Sequence, residues 1–153
     1  MAQHKPKRAY TVRNSTIHGR GVFATRTIRK GSVILEYRGK RDTWESVNAL
    51  PDSDPDNPHH TFIFELSNGK VIDGGRRGNA ARWINHSCAP NCRSFEDDNG
   101  RVFFEACRTI IAGDELTYDY RLSIDGRITA KTRANYACHC GSPRCRGTLL
   151  LEQ

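Results

Sequence analysis

Three of the chain's six cysteines fall within eight residues, as Cys138, Cys140 and Cys145 in a C-x-C-x4-C arrangement interleaved with Gly141, Ser142 and Pro143. Close spacing around glycine and proline lets thiolates converge on one point, as a tetrahedral zinc ion requires at about 2.3 Å per sulfur. Three ligands are one short. His139 sits between two of them, where its side chain is awkwardly placed. Cys88, in the run Asn85-His86-Ser87-Cys88-Ala89-Pro90-Asn91-Cys92, is the better fourth ligand. A metal on Cys88, Cys138, Cys140 and Cys145 would pin the end of the chain to a loop about fifty residues upstream. Unrelated buried or free thiols are the plain alternative. Cys107 falls in a strand pattern and reads as core, and Cys92 is left unligated.

Two further segments carry groups able to do chemistry. In His18-Gly19-Arg20-Gly21 the glycines allow close backbone approach to a ligand, and in Glu115-Leu116-Thr117-Tyr118-Asp119-Tyr120 two phenols alternate along a strand. Taken singly, the first reads as an ordinary turn and the second as strand packing. Asn85-His86-Ser87 alone reads as a polar turn before a metal ligand, and Arg20, Arg76, Arg77 and Arg82 as solvated charges.

The elements that must position these groups are mostly short strands. Val33-Ile34-Leu35 and Thr61-Phe62-Ile63-Phe64 are β-rich, and Asn68-Gly69 separates the second from Lys70-Val71-Ile72 as a hairpin turn. A second hairpin is predicted where Asp97-Asp98-Asn99-Gly100 divides Cys92-Arg93-Ser94-Phe95 from Val102-Phe103-Phe104-Glu105. Asp42 or Thr43 caps a short helix over 44–50, ended by Pro51, and 78–84 makes another short turn. Residues 51–58, with three prolines and three aspartates, read as an exposed loop, and 121–137 is polar without strong periodicity. Arg26-Thr27-Ile28-Arg29-Lys30-Gly31 is echoed in type by Arg108-Thr109-Ile110-Ile111-Ala112-Gly113, a repeated turn with a structural purpose. The fold class expected is mainly β, without strand-helix alternation or a G-x-G-x-x-G opening a helix, which excludes a Rossmann-type cofactor site.

A chain of 153 residues, 37% apolar and 27% charged, suits one domain with a modest core. It has no run of about 18 apolar residues and no secretory signal, so no membrane is expected, and a reducing compartment favours thiols over disulfides. The net charge of +7 is compatible with solubility alone or with an acidic partner.

In order along the chain, His18-Gly19-Arg20-Gly21-Val22-Phe23, then Arg82-Trp83-Ile84-Asn85-His86-Ser87-Cys88-Ala89-Pro90-Asn91, then Glu115-Leu116-Thr117-Tyr118-Asp119-Tyr120, resemble the SET domain of histone-lysine methyltransferases. The cysteine-rich end resembles the post-SET zinc motif that several of them carry. The resemblance covers about residues 10–150 and rests chiefly on the N-H-S-C-x-P-N segment. It implies a basic tail at 1–9, a SET domain at 10–122 built of small β-sheets with few short helices and a pseudoknot, and a linker with the post-SET segment at 123–153.

The resemblance further implies S-adenosylmethionine as cofactor, met by His18, Gly19, Arg20 and Gly21, with Asn85 and His86 at its amino end and adenine. Cys88 with Cys138, Cys140 and Cys145 would hold one structural zinc. Tyr120 takes the catalytic position, Tyr118 the position that influences how many methyl groups are added, and Tyr37 a place in the substrate channel. Phe62 stands where many relatives have a tyrosine touching the cofactor, so affinity or geometry toward it is expected to differ. The expected partner is a protein presenting a lysine, histone-like or another basic protein, with nucleic-acid binding allowed but not required and oligomeric state unspecified. The expected location is cytoplasmic in a bacterium and nuclear in a eukaryote, and not secreted. The rival reading is a zinc-containing nucleic-acid- or chromatin-binding module without catalysis. The basic charge favours it, but the C₂H₂ spacing and any recognition-helix periodicity are missing.

Overall fold

A computed structural model describes residues 8–51, 62–124 and 126–151. Most of the basic tail, nearly all of the loop expected over 51–58, and Thr61 of the expected strand lie outside them. The elements in chain order are β1 (Tyr10–Asn14), β2 (Arg20–Ala24), β3 (Val33–Tyr37), β4 (Lys40–Asp42), α1 (Trp44–Asn48), β5 (Ile63–Glu65) and β6 (Val71–Asp73). A 3-10 turn (Ala80–Trp83) follows, then β7 (Asn85–His86), β8 (Cys92–Glu96), β9 (Val102–Ala106), β10 (Thr117–Tyr118) and α2 (Ala130–Asn135). The molecule is mainly β, as expected.

The strands form four small sheets: β1-β2, β3-β9-β8, β4-β6-β5, and the parallel pair β7-β10. Both predicted hairpins are present. Asn68 Oδ1 accepts from the Lys70 amide at 2.9 Å and Gly69 takes φ 82°, which reverses β5 into β6. In the β8–β9 turn, Asp97 Oδ1 accepts from the Asn99 and Arg101 amides at 3.0 and 2.8 Å. Thr43 caps α1 by accepting from the Ser46 amide, and Asn79 caps the 3-10 turn in the same way through Ala81.

β9 shows why this core forms. Val102, Phe104 and Ala106 are buried while Phe103 and Glu105 between them are only half-buried, the two-residue period of a strand with one face inward. Phe104 packs fully buried with Val22, Ile84, Ile110 and Leu116. Truncating such a side chain to alanine typically costs about 3–5 kcal/mol.

The echoed segments lie against each other. Ile28 and Ile110 exchange both backbone hydrogen bonds at 2.8 Å. Gly31 (φ 86°) then donates to Ala106 at the end of β9, and Gly113 (φ 93°) donates to Ala24 at the end of β2. The repeat is thus a paired corner that ties the β1-β2 sheet to the β3-β9-β8 sheet.

One expectation needs correction, and one short helix joins those expected. The polar stretch 121–137 contains α2, nucleated by a capping box in which Thr129 and Thr132 satisfy each other's amides. Local capping, rather than apolar periodicity, starts this helix, which has no buried residue. Cys107 lies just beyond β9 and is half-buried against the Pro90 carbonyl, so it is not plain core.

Candidate active site and metal centre

β7 and β10 run parallel with Asn85 opposite Thr117 and His86 opposite Tyr118. The chain after β7 then crosses over this pair, where Asn91 donates to the Glu115 carbonyl at 2.8 Å and accepts from the Thr117 amide at 2.9 Å. This interlock, the arrangement expected of the pseudoknot, brings segments thirty residues apart to one place.

Asn85 is buried, and its Nδ2 lies 3.1 Å from the His18 carbonyl, 2.9 Å from that of Arg20 and 2.8 Å from Glu115 Oε1. It clamps the 18–21 turn onto the interlock. Gly19 takes φ 45°, and its Cα faces open space. Gly21 is glycine for another reason: a Cβ there would sit 2.1 Å from Glu115 Oε1, so the carboxylate rather than a ligand excludes a side chain. The Glu115 carboxylate in turn accepts from Ser15 Oγ at 2.7 Å.

His86 is committed on both ring nitrogens. The Tyr120 amide donates to Nδ1 at 3.0 Å, which leaves the proton on Nε2, 3.3 Å from Cys88 Sγ. Burial pushes its pKa down to about 4, so the ring is neutral and its 3.6 Å approach to Asp119 is no ion pair at neutral pH. The side chains of Asn85 and His86 therefore hold the fold together at this point.

A cleft of about 390 Å³ opens beside the interlock. Tyr37, Phe62, Phe64, Arg82, Tyr118 and Tyr120 line it, with Trp44, Glu65, Arg121, Leu122 and Leu149 also on its walls. The aromatic rings are in contact: Tyr118 lies 4.7 Å from Tyr120 and 4.6 Å from Phe104, and Tyr37 lies 5.3 Å from Phe64, centroid to centroid. Tyr120 Oη donates to the Ile84 carbonyl at 2.6 Å, and Tyr37 Oη donates to the Phe62 carbonyl. Desolvation raises the pKa of all three phenols well above the usual tyrosine range. At neutral pH all three are hydroxyls and not phenolate bases.

Arg82 and Trp83 lie inside the most specific segment without being marked as site residues by their types or spacing. The Arg82 guanidinium stands 4.6 Å from the Trp83 ring and 5.9 Å from Phe62, and its Nε is buried without a hydrogen-bond partner among the described residues. Arg20 approaches Trp83 from 5.7 Å, and Phe62 meets the same ring at 5.2 Å. An orphaned N–H and two guanidinium groups around apolar rings suit a ligand that joins a carboxylate to an apolar body, which fits S-adenosylmethionine. Sequence could not single out Arg82, because only burial distinguishes it from a solvated arginine.

The Sγ atoms of Cys88, Cys138, Cys140 and Cys145 lie within 4.8 Å of one another. A tetrahedral zinc at about 2.3 Å from each sulfur needs sulfurs roughly 3.8 Å apart, so the four thiols fit one ion. Cys88 and Cys138 are 3.8 Å apart. His139 is exposed and outside the cluster, and Cys92 and Cys107 take no part. Amides of Arg146 and Gly147 donate to Cys88 and Cys145 at 3.3 Å, as thiolate ligands favour.

The tail closes on the cleft. Leu122 pairs with Leu150, Ala137 pairs with Thr148, and Leu149 reaches the cleft wall.

Residues 19–121 match the SET domain family. The chain is 36% identical over 144 residues to histone-lysine N-methyltransferase trithorax of Drosophila virilis, covering 86% of this chain and 3% of that protein. It is 36% identical over 153 residues to histone-lysine N-methyltransferase 2B of Homo sapiens, covering 92% and 5%. It is 38% identical over 148 residues to histone-lysine N-methyltransferase ATX2 of Arabidopsis thaliana, covering 88% and 12%. The chain thus spans about an eighth or less of the length of these relatives.

Proposed function

The chain belongs to the SET-domain family, and from that premise we propose that it transfers a methyl group from S-adenosylmethionine to a lysine side chain of a histone or similar basic protein. The observation that carries the reading is the convergence of the 18–21 turn, the Arg82–Trp83 cluster, the Tyr120 hydroxyl and the four-cysteine cluster on one interlock. When bound, the cofactor supplies a methyl carbon on a positively charged sulfonium.

The attacking amine must be neutral, yet a free lysine has a pKa near 10.4, which leaves about one in a few thousand neutral at pH 7. The aromatic wall of Tyr37, Phe64, Tyr118 and Tyr120 lowers that pKa by desolvation and carries no phenolate to hold the ammonium form. No general base is needed in such a site. Tyr120, braced by its bond to the Ile84 carbonyl and by its amide on His86, orients the reacting groups.

With the side chains of Asn85 and His86 turned inward, the 18–21 turn and the backbone beside it would meet the cofactor. Arg82 and Arg20 would hold its carboxylate, and Phe62 with Trp83 would form an apolar floor. The four cysteines would hold one structural zinc, which would fix the tail carrying Leu149 against the cleft.

We further propose that Tyr118, packed between Phe104 and Tyr120, crowds a bulky product, so that mono- or dimethyllysine predominates. Trimethyllysine as the main early species in mass spectrometry would contradict this. The deciding experiment is transfer from tritium-labelled S-adenosylmethionine to purified core histones and to whole-cell extract. Tyr120→Phe keeps the ring and should lose about 10²-fold or more in kcat. A chain that labels no protein, or a Tyr120→Phe variant with unchanged kcat, would overturn the reading.

A further inference from the structure

Arg146 stands between the last metal-site cysteine and Gly147, and it touches three separate parts of the molecule. Its amide donates to Cys88 Sγ at 3.3 Å. Its carbonyl accepts from Arg133 of α2 at 3.0 Å. Its guanidinium grips Asp119 with both terminal nitrogens, Nη1 to Oδ2 at 2.7 Å and Nη2 to Oδ1 at 3.1 Å. A two-point arginine–carboxylate pair fixes orientation as well as distance. Both side chains are about a quarter exposed, so solvent screens the pair only in part.

Asp119 lies between Tyr118 and Tyr120. Its Oδ1 also accepts from the Arg121 amide at 3.0 Å, holding Arg121 at φ 50°, a left-handed conformation that a non-glycine residue keeps only under constraint. On the other side, the Tyr120 amide is held by His86, whose Nε2 meets Cys88 Sγ. Tyr120 is therefore gripped before and after its Cα by groups that lead back to the cysteine cluster.

We infer that Arg146 is a positioning residue that transmits the order of the metal-bound tail to Tyr120 through Asp119. The inference rests on the proposed reading of Tyr120 and of the zinc site. The tail then does two separable things: Leu149 supplies cleft wall and governs substrate binding, and Arg146 sets the hydroxyl and governs turnover.

The test uses the full chain loaded with zinc. Arg146→Gln retains all four cysteines and should keep one zinc per chain by elemental analysis. In it, amide hydrogen exchange at Tyr120 and Arg121 accelerates at least tenfold while the β3-β9-β8 sheet keeps its protection. With core histones and labelled cofactor, kcat falls about tenfold or more and KM changes less than about threefold, and Arg146→Lys recovers part of the loss. Asp119→Asn gives the same pattern, and the double variant falls no further than the worse single one. Wild-type exchange at Tyr120 and Arg121 in zinc-loaded Arg146→Gln overturns the inference, as does a loss that is entirely in KM. Should Arg146→Gln fail to fold or to hold zinc, Asp119→Asn decides the matter by the same exchange readout from the other side of the pair. A wild-type chain that transfers no methyl would defeat the proposed function and leave the exchange test standing.

Discussion

Gly21 and Glu115 meet so closely that the smallest side chain at position 21 would collide with the carboxylate. Gly21→Ala should therefore push Glu115 off Ser15 and Asn85 and cost about 1–3 kcal/mol, read as a lowered denaturant midpoint. The loosened 18–21 turn should also weaken cofactor binding, whereas Gly19→Ala meets open space and strains only the backbone. Phe62 offers the opposite experiment. Its ring already lies on Trp83, so Phe62→Tyr adds a hydroxyl without removing packing. One added hydrogen bond is worth about 0.5–1.5 kcal/mol, which predicts a roughly 2- to 12-fold tighter cofactor Kd by calorimetry. An unchanged or weaker Kd would show that the ring alone serves this site.

At the scale of elements, α2 depends on its cap more than on packing. Thr129→Ala removes one half of the capping box and should cost the helix about 1 kcal/mol, seen as faster proteolysis within residues 126–137. The core should keep its thermal midpoint, because α2 buries none of its residues. Metal removal acts on a larger piece of the same region. Chelation should free residues 121–151 and reduce activity while amide protection in β3, β8 and β9 persists. Those strands close around Phe104, Val102 and Cys92 without help from the four clustered cysteines. Simultaneous loss of sheet protection and activity would show that the metal supports the whole fold.

Across the whole molecule, three buried phenols tie stability to alkaline pH. Tyr37, Tyr118 and Tyr120 hold their protons more tightly when folded than the ordinary value of 10.0. The folded state is then favoured fully below about pH 10, and that stability is lost as pH rises further, because the unfolded chain releases the protons first. Urea midpoints near pH 8 and near pH 11 should differ accordingly, and Tyr118→Phe should flatten the decline. A midpoint independent of pH across this range would mean that the phenols are not dry.

The sequence by itself determined the family, the mainly β class, both hairpins, the place of α1 and the four thiols, while the structure chose Thr43 over Asp42 as the α1 cap. Most of these depend on residue type at short spacing: Asn68-Gly69 reverses a strand, and Cys138, Cys140 and Cys145 lie close enough in the chain to meet at one point, while Cys88 and the family rest on motifs in order along the chain. The tertiary structure decided the rest. Only the β7–β10 interlock turns the side chains of Asn85 and His86 inward, makes Gly21 a packing requirement of Glu115, buries Arg82 Nε, and puts Arg146 on Asp119 across 27 positions of chain. α2 leaves no periodic signal in the sequence because it is specified by a cap and not by an apolar face. Burial and long-range contact are properties of the closed chain, and no local spacing encodes which arginine will be stranded in an aromatic wall and which will face water.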